Sequence, residues 1–72
     1  MVNKMPILKT KIHEYRKDRN MQQLELAELV GVRRETIGNL ENGKYNPSLK
    51  LAMDIAKVFD CKVEDIFTFI EE

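Results

Sequence analysis

Residues Gln23 to Gly43, QLELAELVGVRRETIGNLENG, decide how the rest of the chain is read. They spell one apolar-patterned helix, a tight turn carrying Gly31, and a second short helix whose outer face is Arg33, Arg34, Glu35 and Asn39. Numbered from Gln23 as the first position, Ala27 is the fifth, Gly31 the ninth, Ile37 the fifteenth and Leu40 the eighteenth. Two helices that cross closely need a small residue at the crossing, which suits Ala27. The turn between them needs a residue tolerant of positive φ, which suits Gly31. The second helix needs apolar residues to seat it, which suits Ile37 and Leu40. Four requirements met at fixed offsets are far more specific than any lone short motif.

Outward from this stretch the periodicity stays helical, with turn signals at Asn20, Gly31, Gly43 and the cluster Asn46, Pro47, Ser48. Leu8, Ile12 and Tyr15 recur at helical spacing and predict a first helix over about residues 9–19. A second is expected over 23–30, burying Leu26, Ala27 and either Leu29 or Val30, and a third over 34–41. Pro47 cannot continue a helix and Ser48 is a suitable N-cap, so a fourth runs over 49–59 and a short fifth over 63–67. The segments Pro6-Ile7-Leu8 and Thr68-Phe69-Ile70 are rich in β-branched and aromatic residues. They are expected to pair as a small two-stranded sheet joining the termini of an otherwise all-α, five-helix domain.

The composition limits the function classes. Seventy-two residues make one domain, residues 1–72, with a modest core that oligomerisation would help to stabilise. The single cysteine forbids an intrachain disulfide and fits a reducing compartment. No apolar run approaches the roughly 20 residues needed to span a bilayer, and the start MVNKMPILKTK lacks a secretory pattern. The expectation is a cytoplasmic protein without a membrane partner. The net charge is zero, but residues 1–44 hold nine Lys and Arg against six Asp and Glu, whereas residues 45–72 hold three against six. The basic half contains the two-helix motif, and affinity for phosphate depends on the local patch rather than the total.

The matching segments Gln23, LAELVGV (26–32), RRETI (33–37), LENGKYNPSL (40–49), LAMDIAKVF (51–59) and VEDIF (63–67) resemble the xenobiotic-response-element (XRE) family of helix-turn-helix proteins. That family includes the phage repressors and Cro. The resemblance runs from about Ile12 to Phe67 and implies a lambda-repressor-like fold. It further implies a homodimeric, sequence-specific binder of double-stranded DNA that regulates transcription, most often by repression. An antitoxin of a toxin–antitoxin pair, or a protein-interaction module that has lost DNA binding, are the alternatives.

Side chains that enter the major groove must project from the solvent face near the N-terminus of the recognition helix. Those are Arg33, Arg34, Glu35 and, a turn later, Asn39. Arg34 has the paired donors for guanine, Glu35 the acceptor for cytosine, and Asn39 the donor and acceptor for adenine. The other reading of Arg34 and Glu35 is a pair of solvated charges that neutralise one another. The family commonly has a serine where Arg33 stands and a glutamine where Glu35 stands, so this chain departs there. Phosphate contacts are expected from Gln22, Gln23 and Thr36, and from Asn42, Lys44 and Tyr45 beyond the recognition helix. Gln23 matches the family's phosphate-contacting glutamine, and Gln22 stands where the family usually has a serine N-cap. The resemblance also pairs Arg16 on the first helix with Glu41 at the end of the recognition helix. Ile66, Phe67, Phe69 and Ile70 offer more apolar surface than so small a core absorbs, and are the expected dimer interface.

His13 is the one histidine and Cys61 the one thiol, too few for a catalytic triad or a metal cluster. Neither an enzyme, a cofactor, a metal nor a small-molecule substrate is expected.

Overall fold

The computed structural model describes residues 7–71. Strand β1 (Ile7–Thr10) leads into helices α1 (Ile12–Asp18), α2 (Gln23–Val30), α3 (Arg34–Glu41), α4 (Leu49–Val58) and α5 (Val63–Ile66). Strand β2 (Phe67–Ile70) follows. Ten residues form one core to which every helix contributes: Ile12, Leu26, Ala27, Ile37, Leu40, Leu51, Ile55, Ala56, Ile66 and, at the end of α4, Phe59. Tyr15 and Val30 pack against it. Leu29 points outward, which resolves the choice on the second helix in favour of Val30.

The beginning of the first helix differs from the sequence expectation. Residues 9–11 are not helical, because Ile7–Thr10 pairs antiparallel with Phe67–Ile70 in the register Leu8–Phe69, Lys9–Thr68. Lys11 extends the ladder by donating its N–H to the Ile66 carbonyl at 2.9 Å, while its own carbonyl already accepts from Tyr15. The chain therefore turns from strand to helix at Lys11. Leu8 is buried, but a strand delivers it rather than a helix. Phe67 likewise belongs to β2 rather than to the last helix. Pro6, expected in the first strand, lies outside the described residues.

Four helices end in the same way. Asn20, Gly31, Gly43 and Asp60 all take positive φ. In each case the next N–H reaches back five residues: Met21 to Arg16, Val32 to Ala27, Lys44 to Asn39, and Cys61 to Ala56, all at 2.9 to 3.0 Å. This left-handed closure returns the next N–H to a carbonyl near the end of the helix and stops the helix there. Asn20 and Asp60 carry it at some cost that glycine avoids. At the other ends, the Ser48 hydroxyl accepts from the Leu51 N–H at 3.1 Å. The Glu25 carboxylate accepts from the Gln22 N–H at 3.2 Å, which compensates for the missing serine at the start of α2.

The two turn glycines are not equivalent. A Cβ at Gly31 would meet nothing, whereas one at Gly43 would lie 2.7 Å from the Leu8 carbonyl oxygen. Gly31→Ala should cost about 1–2 kcal/mol, the penalty of left-handed backbone alone. Gly43→Ala should cost distinctly more, because β1 must also move. Urea unfolding followed by circular dichroism compares them, and equal losses would mean that β1 does not sit against the end of α3.

Candidate nucleic-acid interface

α2 and α3 form the two-helix unit predicted from the sequence. Ala27 is fully buried at their crossing, and Ile37 and Leu40 hold the inner side of α3 with no exposed surface. A helix fixed so firmly along one stripe presents the opposite stripe at a defined angle. That stripe carries Arg34, Glu35 and Asn39, all exposed, with Arg33 exposed at the N-cap. Gly38 lies between them, and the Gln23 amide oxygen sits 3.8 Å from where a side chain at Gly38 would begin. Thr36 is half-buried beside this stripe. Arg33 caps α3 in extended conformation without a side-chain hydrogen bond, so the N–H groups at the start of the helix take no side-chain cap and point along its axis toward the N-terminus.

Behind this face lies a network of charged and polar groups. Arg16 is 7% exposed, the one buried charged residue among the described residues. Its Nε donates to Glu41 Oε2 at 2.6 Å and its Nη2 to Glu41 Oε1 at 3.1 Å, a two-pronged contact from α1 to the end of α3. Nη1 donates to the Met21 carbonyl at 2.8 Å, and Nη2 also lies 3.1 Å from His13 Nδ1. Every prong of the guanidinium is thus occupied, which is the condition under which a buried charge is tolerated. Gln23 extends the network outward. Its Nε2 donates to Glu41 Oε1 at 3.1 Å, and its Oε1 accepts from Arg34 Nη1 at 3.2 Å. A carboxylate only accepts and a guanidinium only donates, so these two partners fix the orientation of the amide.

The remaining sequence candidates divide by location. Gln22 is exposed at the start of α2, and Asn42, Lys44 and Tyr45 are exposed just beyond α3. These two groups flank the outer face of α3 at its two ends. The expected interface residues at the chain's end do not stay together. Ile66 is 1% exposed and belongs to the monomer core, so it is withdrawn as an interface residue. It faces inward because α5 packs on α4 before the chain enters β2. Phe67 is half-buried, while Phe69 and Ile70 are exposed.

Sequence reasoning missed that Gln23 joins Glu41 to Arg34, and that His13 stands beside Arg16. It also missed Arg19, which donates to the Phe59 carbonyl at 3.0 Å and lies over the Phe59 ring. No periodicity marks the contacts of Gln23 and Arg19, since their partners lie on other elements, whereas His13 and Arg16 stand three apart on α1, a spacing the sequence does offer. Cys61 is half-buried and burial pushes its thiol up, so it stays protonated near neutral pH. Among the described residues no group of His, Cys, Asp and Glu is arranged to hold a metal ion, and no helix is long and apolar enough to cross a membrane.

The helix-turn-helix family model matches residues 12–66. The chain belongs to the XRE-type helix-turn-helix family. An HTH-type transcriptional regulator of Archaeoglobus fulgidus is 65% identical over 65 residues, which span 90% of this chain and 92% of that protein. The crystal structure of the transcriptional regulator VanUg superposes with a TM-score of 0.78 at 26% identity, covering 100% of this chain and 96% of that one. The restriction-modification controller protein C.AhdI from Aeromonas hydrophila superposes with a TM-score of 0.69 at 30% identity, over 75% of this chain and 82% of that one. The helix-turn-helix chain is thus a transcriptional regulator with a lambda-repressor-like fold, and not an enzyme.

The Arg16–Glu41 contact sets a stability test. Removing one partner strands the other in a site where both side chains are under a tenth exposed, which should cost about 3–5 kcal/mol. Arg16→Ala and Glu41→Ala combined should cost much less than the two singles added, a coupling read from urea unfolding of all four proteins. Additive losses would mean that the two charges do not meet in solution.

Proposed function

We propose that this chain is a repressor that binds an inverted-repeat operator as a homodimer, docking α3 into the major groove and occluding promoter DNA. The observation that carries the reading is the two-sided nature of α3. Its inner stripe, Ile37 and Leu40, is fully buried, while Arg34, Glu35 and Asn39 stand exposed. Those three are side chains with hydrogen-bonding geometry for base edges. The Gln23 bridge adds support: an Arg34 held from behind loses less freedom when it meets a guanine.

Phosphate contacts fall to Gln22, Gln23, Asn42, Lys44 and Tyr45, which border the outer face of α3, and to Thr36 beside that face. The excess of Lys and Arg in residues 1–44 supplies the field that draws the duplex in. One recognition helix reads only a few base pairs, too little to find one site among genomic competitors. A two-fold dimer doubles the contacts and requires half-sites about 34–36 Å apart. Phe67, Phe69 and Ile70 are the side chains assigned to the dimer contact. The partner is double-stranded DNA, and the protein works where that DNA lies, in the cytoplasm.

Selection of bound duplexes from a random pool should return an inverted repeat whose half-sites are spaced by about one helical turn or a multiple of it. On that operator, Arg34→Ala and Glu35→Ala should each cost about 1–3 kcal/mol and relax base preference at a few positions. Lys44→Ala should instead weaken all duplexes alike and lower the slope of log affinity against log salt by about one. Pool selection that returns no sequence, or a uniform loss from all three variants, would remove α3 as the reading helix.

A further inference from the structure

The sheet of β1 and β2 has two outer edges, and they are not equivalent. Lys11 donates to Ile66 at 2.9 Å, and the register runs Thr10–Phe67, Lys9–Thr68, Leu8–Phe69, Ile7–Ile70. In an antiparallel ladder, hydrogen-bonded pairs alternate with non-bonded ones. The bonded pairs are therefore Lys9–Thr68 and Ile7–Ile70, and the main-chain groups of Leu8, Phe67 and Phe69 point out of the sheet. On the β1 side that direction is closed, because Gly43 sits against the Leu8 carbonyl. On the β2 side, the Phe67 N–H is taken by the Val63 carbonyl. The Phe67 carbonyl and both main-chain groups of Phe69 have no backbone partner among the described residues.

Soluble proteins usually guard an open edge with charge or proline. Here the sheet's one charged residue, Lys9, lies on the covered strand, and β2 reads Phe-Thr-Phe-Ile. The surface beside the open edge is apolar as well. Phe69 is 53% exposed, Ile70 45% and Leu49 74%, and Pro47, Leu49, Phe67 and Phe69 line one groove together with Leu8 of β1.

We propose that the open edge of β2 receives β2 of a second copy of this chain, antiparallel about a two-fold axis at Phe69, giving a continuous four-stranded sheet. The inference rests on the homodimer reading above and names its interface. An antiparallel edge centred on one residue is its own complement: the Phe69 N–H and carbonyl face the carbonyl and N–H of the same residue in the second copy. The acidic ends do not oppose this. Glu71 follows β2, so the two copies' Glu71 side chains stand four residues apart along the pairing, about 13 Å, which is beyond the roughly 8–10 Å over which salt leaves charges interacting. The area also suffices. With about 150–250 Å² available to each large apolar side chain, the exposed fractions of Phe69, Ile70 and Leu49 leave about 350 Å² per copy. The two copies together supply about 700 Å², the apolar share of a standard interface at the smaller end of its range.

A chain of 72 residues is accessible to chemical synthesis, which permits a test at one atom. N-methylation of the Phe69 amide removes an N–H that faces away from β1, so folding by circular dichroism should persist. Sedimentation equilibrium should show the unmodified chain as a micromolar dimer and the N-methyl chain with a Kd raised about 100-fold or more. In a Cys61→Ser background, Phe69→Cys should form a disulfide-linked dimer under mild oxidation, since paired residues lie about 5.5 Å apart. Ile7→Cys should not, its two copies being three strand spacings, about 14 Å, apart. Should the N-methyl chain fail to fold, the cross-linking pair decides. A dimer whose Kd ignores the N-methyl group, or Phe69→Cys that does not cross-link, overturns the β2 edge while leaving the homodimer intact. An unmodified chain still monomeric at about 100 μM overturns the homodimer reading itself.

Discussion

Arg16 and Glu41 are two opposite charges taken out of water, and most of the geometry in this small protein follows from the need to satisfy them. The guanidinium reaches the carboxylate with two prongs and gives its remaining prong to the Met21 carbonyl. That arrangement fixes α1, the turn after it, and the last residue of α3 relative to one another. A pair of this kind adds little net stability compared with apolar packing, because desolvation offsets most of the attraction. Its value here is positional. Apolar contacts between Ile37, Leu40 and the core hold α3 down, yet they tolerate small rotations that a two-pronged ion pair does not.

The same network joins the core to the outer face. Gln23 stands between Glu41, whose position the ion pair sets, and Arg34, which belongs to the surface of α3. The amide thus links the Glu41 carboxylate to the exposed Arg34 guanidinium by two hydrogen bonds. Its half-buried position suits this, since the surroundings are dry enough to give the hydrogen bonds directional weight.

Chain length is handled by economy at the turns. Left-handed closures at Asn20, Gly31, Gly43 and Asp60 reverse the path with few residues spent, so short helices meet around one core. The two ends are then brought together by β1 and β2, which enclose the helices between paired strands. Gly43 belongs to both devices. Its left-handed φ ends α3, and its missing side chain lets the Leu8 carbonyl approach. A single glycine therefore ties the terminal sheet to α3.

By itself the sequence determined the helix-turn-helix: the offsets of Ala27, Gly31, Ile37 and Leu40 are local facts that periodicity and backbone sterics report directly. It also determined which face of α3 is exposed, because burying Ile37 and Leu40 leaves Arg34, Glu35 and Asn39 outside. Tertiary structure decided the rest. Leu8, Ile12 and Tyr15 fit helical spacing equally well whether the helix starts before or after Lys11, and only pairing with β2 chose the later start. Ile66 and Phe69 are alike in sequence as apolar residues near the end. One fills the core and the other remains at the surface, because α5 packs on α4 and β2 runs past it. The contacts of Gln23 with Glu41 and Arg34 span three helix ends, and side chains so far apart in the chain carry no local sign that they meet.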